Sequence, residues 1–298
     1  MLRSRLLSLA LIFAPALASG HNDVSETIKA LTAEIKNKPT ADLYYQRATE
    51  FRALKEKAHA IEDLESALQL EPENRRALVA LIQLLGPTPV GLKRIKEYEG
   101  IARTKEEKFE AGYLLAFHHT KLQTFEVALS HCEALQKTRP NDDPALDLLH
   151  AKILLELNRP EDATIILKNS WNRTESIVLR NNWIDAALTA GQTETVLPII
   201  QEELASSRFR SSWLIRRARA FLILKKNEAA QSDLREALNE IAHRINPERP
   251  DYTLIADRGL IHALMGNKNP AKRDLETLEK AGYAPDAFRL LRDTLAIN

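Results

Sequence analysis

The chain has 298 residues, with 42 Lys and Arg against 41 Asp and Glu, a single Cys, 9 Gly and 13 Pro. That length and a hydrophobic share of 44% suffice for a sizeable core and exclude wholesale disorder. The near-neutral charge excludes an electrostatic footprint for nucleic acid and a polybasic membrane patch. So few glycines argue against strand-rich folds and phosphate-cradling loops, and for long helices joined by short turns.

The N-terminus differs in kind from the rest. Met1 to Arg5 is basic, Leu6 to Leu17 is almost wholly apolar, and Ala16-Leu17-Ala18 places small residues at the spacing a signal peptidase requires. An apolar run of about 12 residues falls short of the roughly 20 that a helix needs to cross a bilayer. Residues 1–20 are therefore expected to be an export signal, cut after Ala18 or Gly20, with no membrane span left afterwards. Cleavage leaves 40 basic residues against 41 acidic ones. The lone Cys132 cannot form an internal disulfide, which suits a periplasmic or secreted protein whose packing alone tolerates an oxidising compartment. In residues 21–40, Ile28, Leu31 and Ile35 recur at helical spacing within a helix from Val24 to Lys36, expected to form a lid on the N-terminal end of the remaining chain.

Residues 41–74 read as a complete helical hairpin. Tyr44, Ala48 and Phe51 share one face of a first helix, Ala60, Leu64, Ala67 and Leu68 share one face of a second, and Pro72 closes the unit. The pattern recurs. Arg47-Ala48, Ala60 and Asp63-Leu64 are matched by Arg217-Ala218, Ala230 and Asp233-Leu234, and again by Arg258-Gly259, Ala271 and Asp274-Leu275, with identical spacing. The small residues fall where two helices cross closely, and each Arg is placed to tie its hairpin to the Asp on the second helix with bidentate geometry. This unit closely resembles a tetratricopeptide repeat.

Further repeats continue in chain order. Arg75 to Leu85 and Val90 to Arg103 form a degenerate pair around Gly86-Pro87-Thr88-Pro89. The third, fourth and fifth pairs are Phe109–Lys121 with Phe125–Lys137, Pro144–Glu156 with Pro160–Asn169, and Ile177–Ala190 with Thr193–Ala205. The sixth spans Ser211 to Ile245 and the seventh Tyr252 to Ala281, with extra residues around Pro247 to Pro250. The expected fold is all-α, a right-handed superhelical solenoid of about seven such hairpins over residues 41–284. A helix at 21–40 and another at 285–298 cap its ends.

No catalytic signature is present: no phosphate loop, nucleophile elbow, HExxH or Cys pair at metal spacing. Asp142-Asp143 and Glu106-Glu107 read as solvated turn or helix-start residues. His118, His119, His131, Cys132 and His150 are clustered in the third and fourth repeats, and convergence of His119, Cys132 and His150 would suit copper or zinc. Packing is the competing reading. Trp171, Trp183 and Trp213 fit the role of filling gaps left by lost consensus residues around the fifth repeat.

What the resemblance implies is a non-catalytic scaffold with no cofactor, holding a peptide or protein partner in the concave groove lined by the first helices. The family's groove positions fall on Tyr45, Thr49, Arg52, Gln83, Tyr113, Phe117, Asn181, Asp185, Arg216 and Arg219. Tyr, Phe and Arg are residue types enriched in binding hot spots. Single Ala substitutions at Arg52, Tyr113, Phe117 or Arg219 are expected to weaken binding and leave folding intact. The alternatives are an exported copper- or zinc-binding protein and a structural spacer in an envelope assembly.

Overall fold

The computed structural model describes residues 20–139, 143–246 and 248–297. The expected export signal, apart from Gly20, lies outside them, as do Pro140, Asp142 and Pro247. Along the chain run α1 (Gly20–Asn37), α2 (Ala41–Ala53), α3 (Lys57–Leu70), α4 (Arg75–Leu85), α5 (Pro89–Ile101), α6 (Lys105–Lys121) and α7 (Phe125–Thr138). Then come α8 (Pro144–Glu156), α9 (Pro160–Thr174), α10 (Ile177–Thr189), α11 (Thr193–Ser206), α12 (Ser211–Ile223) and α13 (Asn227–Ala242). The last are α14 (Tyr252–Leu264), α15 (Lys268–Lys280), a single 3-10 turn (Pro285–Phe288) and α16 (Arg289–Ile297). Among the described residues, the only bridge between extended segments is an isolated antiparallel one between Asn246 and Arg249, in the excess between the sixth and seventh hairpins.

The chain divides into two compact units, residues 1–142 and 143–298. The division falls between the third and fourth hairpins, not at the degenerate second or fifth. In the first unit α1 covers the first hairpin with Leu31 and Ile35 buried, and Ala48, Ala60, Leu64, Leu81, Ile82, Ile95 and Tyr98 form the core behind it. The second unit is closed by α16, whose Leu291 is buried together with Phe288 of the preceding turn.

The repeat chemistry appears as expected in both units. Ala48, Ala60, Ala116, Ala128, Ala218, Ala230 and Ala271 are fully buried at the helix crossings. Gly259 takes the small position of the seventh hairpin because a β-carbon there would lie 2.7 Å from Leu291 Cδ2. Each Arg grips its Asp with two bonds. Arg47 Nε and Nη2 donate to Asp63 at 2.8 and 2.6 Å, Arg217 to Asp233 at 2.7 Å twice, and Arg258 to Asp274 at 3.0 and 2.6 Å. In the fourth hairpin the polarity is reversed: buried Asp147 sits on the first helix and accepts from Arg173 on the second at 2.8 Å.

Helix starts follow from local side-chain chemistry. Thr40, Asn74, Thr88 and Asp143 each cap a helix by accepting from a backbone N–H of its first turn. Thr104 and Glu107 form a reciprocal capping box, so α6 begins four residues before the expected Phe109 and Glu106-Glu107 is a helix start. The second helix of the fourth hairpin extends past the expected Asn169 to Thr174, because Trp171 stacks on Trp183 at 5.1 Å and holds the added turn.

Candidate functional site

In the first unit, the expected groove residues lie on the first helices α2, α4 and α6. Arg52 and Gln83 are exposed, and Arg52 Nη2 donates to Gln83 Oε1 at 3.4 Å, so these rows of neighbouring hairpins meet side chain to side chain. Tyr45 is half-buried beneath the Arg76 guanidinium, 5.9 Å from its ring centroid, and Thr49 is exposed. Phe117 on α6 remains 39% exposed, an unusual state for a large aromatic, with the Lys121 ammonium 5.4 Å from its ring centroid. Tyr113, one turn earlier, is half-buried.

In the second unit the structure gathers Asp185 of α10 with Arg216 and Arg219 of α12, while Asn181, one turn before Asp185, is half-buried. Asp185 accepts from Arg216 Nε and Nη2 at 3.1 and 2.7 Å and from Arg219 Nη1 at 2.7 Å. Burial alone pushes the Asp185 carboxyl up, but the two guanidinium groups outweigh it and hold it below its usual value. Burial pulls Arg219 down, since one carboxylate is shared by two cations. Arg219 is itself only 8% exposed. This corrects the expectation that Arg219→Ala leaves folding intact: the change would strand part of Asp185's compensation in a half-buried place.

Sequence position alone missed Asp257 on α14. It is half-buried, makes no hydrogen bond or ion pair among the described residues, and burial raises its carboxyl to about 6. Arg216 and Arg244 pull the value down, while Asp185 and Asp251 push it up. It is the counterpart in the seventh hairpin of Arg216 in the sixth, since each directly precedes the Arg of the repeated Arg–Asp pair, and the groove positions read from the sequence stopped at the sixth hairpin.

Of the residues considered as metal ligands, His119 has a hydrogen-bond partner and Cys132 and His150 are buried. Cys132 is fully buried and burial pushes its thiol up to about 12, the state of a packed thiol. His119 pairs through Nδ1 with Thr124 Oγ1 at 2.9 Å and stacks on His131 at 5.6 Å. Buried His118 has Nε2 2.8 Å from the Gly86 carbonyl oxygen, fixing the turn between α4 and α5. Among the described residues no group of three or more His, Cys, Asp or Glu side chains is arranged to hold a metal ion. Trp183 and Trp213 are buried, Trp183 stacked on Trp171, as gap fillers would be. No helix among the described residues is long and apolar enough to cross a membrane.

Comparison with known proteins agrees with this architecture. Residues 41–74 match the family model described as tetratricopeptide repeat. No curated protein matches the chain. Among solved structures, a tetratricopeptide repeat protein from Parabacteroides merdae ATCC 43184 is similar at a TM-score of 0.61 and 18% identity, over 86% of this chain and 98% of that one. That likeness shows the fold. Two others are similar at TM-scores too low to carry an argument. They are YrrB, titled a TPR protein with an unusual peptide-binding site (0.37, 13% identity, 72% of this chain and 93% of that one), and PilF of Pseudomonas aeruginosa (0.40, 13%, 91% and 99%).

Proposed function

We propose that this helical-repeat chain, with its tetratricopeptide repeat at residues 41–74, is a non-catalytic scaffold that holds a peptide or protein partner against the first helices of its hairpins. The observation that supports the reading is on the first helices α2, α4 and α6, where Arg52 and Gln83 stand exposed and in contact and Phe117 is exposed. An aromatic ring and a guanidinium with unused donors are the groups most often responsible for binding energy at interfaces.

The basic and apolar residues 1–20 support an exported protein, periplasmic or secreted, whose partner belongs to the cell envelope or outside it. Sequencing the N-terminus of the protein recovered from that compartment tests this, and an intact Met1 there would overturn it.

Affinity capture from the envelope fraction, with mass spectrometric identification, tests the scaffold. The intact protein is compared with an Arg52→Ala, Phe117→Ala variant, both positions being exposed and free of the core. A partner held by the intact protein and lost by the variant is expected. Equal recovery by both would overturn the assignment to the α2–α4–α6 row.

A further inference from the structure

The seventh hairpin repeats the Arg–Asp pairing of the first and sixth but changes what surrounds it. Four residues after the Arg, the first and sixth carry Phe51 and Phe221, whose ring centroids lie 5.8 and 5.7 Å from the guanidinium carbons of Arg47 and Arg217. In the first hairpin the His59 ring lies 5.0 Å from that of Phe51. The seventh carries His262 in place of the Phe and Pro270 in place of His59. Directly before the paired Asp, Glu62 and Ser232 give way to Arg273.

At this place, near the turn between α14 and α15, lies a recess of about 290 Å³ open to solvent and lined by Arg258, His262, Pro270, Arg273 and Asp274. Its charged groups offer donors without acceptors. Arg258 commits Nε and Nη2 to Asp274 and leaves Nη1 unbonded among the described residues. The exposed Arg273 guanidinium makes no hydrogen bond or ion pair among them. The one carboxylate of the lining, Asp274, is 5% exposed and already accepts on both oxygens from Arg258.

The half-buried His262 ring adds another donor. Its Nδ1 is closed to solvent and has no partner among the described residues, whereas Nε2, also without a hydrogen bond, is not closed off. A buried N–H without an acceptor costs more than a buried lone pair without a donor, so the proton belongs on Nε2. Burial disfavours a second proton, and the Arg258 and Arg273 charges add to that against the pull of Asp274. At neutral pH the ring is therefore uncharged and presents Nε2–H.

We infer that this recess is a binding site for a phosphate group, whose oxygens accept from Arg258 Nη1, His262 Nε2 and the Arg273 guanidinium. The charges of Arg258 and Asp274 cancel, and Arg273 leaves the recess cationic. A cation would find no unused carboxylate oxygen there. Donors on three side chains of two helices suit a tetrahedral group with oxygens in several directions better than a planar carboxylate, and Arg is the residue best fitted to bond phosphate oxygens. The site does not depend on the scaffold reading and lies outside the α2–α4–α6 row.

The test titrates the full chain with inorganic phosphate at neutral pH and constant ionic strength, reading the imidazole signals of His262 by NMR. His262→Phe assigns those signals by their loss, and it restores the residue type that the first and sixth hairpins carry, so the variant is expected to fold. A saturable shift is expected in the intact protein. Arg273→Gln, at an exposed position without a partner, is expected to weaken binding about tenfold, the loss of one charge-assisted contact. Acetate is expected to bind more weakly than phosphate. O-phosphoserine separates the sources: binding as tight as that of inorganic phosphate shows a recess open to phosphate carried on a side chain, and binding of inorganic phosphate alone shows a site for the free ion. Both uphold the phosphate group. No saturable shift, unchanged affinity in Arg273→Gln, or acetate bound as tightly as phosphate overturns the site and leaves the scaffold standing.

Discussion

Asp257 makes the second unit less stable than its packing allows, and the sign of that effect can be worked out. Its folded carboxyl sits at about 6, above the ordinary value of 3.8. Between those values the native protein holds a proton that the unfolded chain has released, so stability falls as pH rises through the window and the full penalty is present above it. A shift of about two units corresponds to at most about 3 kcal/mol, and partial solvent contact reduces this to about 1–2 kcal/mol. Asp257→Asn is therefore expected to raise stability by that amount at pH 7.5 and to change it little at pH 4, measured by urea unfolding at both values. Equal or lower stability of the variant at pH 7.5 would contradict the assignment. Arg219→Ala runs the other way. It removes a nearly buried side chain and part of what compensates Asp185, and a loss of about 2–4 kcal/mol is expected. A variant of wild-type stability would show the Arg219 contact to be dispensable. Asp257 was invisible in the sequence because what distinguishes it is a missing partner, and a missing partner has no spacing.

At the scale of the hairpin, legibility tracked repetition. Arg47–Asp63, Arg217–Asp233 and Arg258–Asp274 could be read as ion pairs because one separation recurs three times around buried small residues, and the structure gives each of them two bonds. Asp147–Arg173 does the same work with the charges exchanged between helices, and an exchange seen once leaves no pattern to find. The turns inside the hairpins were hidden for another reason. Lys55, Gln123, Asn158 and Lys225 adopt positive φ at turns where the fifth and seventh hairpins use Gly191 and Gly266. The fold imposes the left-handed conformation whatever the residue, against a cost of roughly 1 kcal/mol for an ordinary L side chain. Lys225→Gly is expected to stabilise the sixth hairpin by about 0.5–1 kcal/mol, read from the midpoint of urea unfolding, and a destabilised variant would show that Lys225 contributes through its side chain. Arg217→Ala should cost about 3–5 kcal/mol, since Asp233 is 4% exposed and would be left an unpaired anion. Arg217→Lys should recover only part of that loss, because one ammonium cannot reproduce the two parallel bonds.

The whole chain inherits its cooperativity from these neighbouring contacts, since repeat proteins are held together by adjacent units rather than by a single distant core. That makes the division between Asp142 and Asp143 a statement about folding. Residues 143–298 contain what a free-standing unit needs. Asp143 caps α8 by accepting from the Ala145 and Leu146 N–H groups, Trp183, Trp213, Ile184, Leu214 and Ile261 supply a core, and Phe288 and Leu291 cover the last hairpin. Terminal covers of this kind keep an array soluble by hiding the face that the next repeat would have taken. The fragment 143–298 is therefore expected to fold when produced alone, with a helical circular dichroism spectrum and a single cooperative urea transition. Shortening it after Ala284 is expected to abolish that transition, because the buried faces of Gly259 and Leu278 lose the helix that packs on α14 and α15. A fragment 143–298 that melts without cooperativity would show that the fourth hairpin depends on the residues before it. A shortened fragment that still unfolds cooperatively would show that α16 covers the array without holding it.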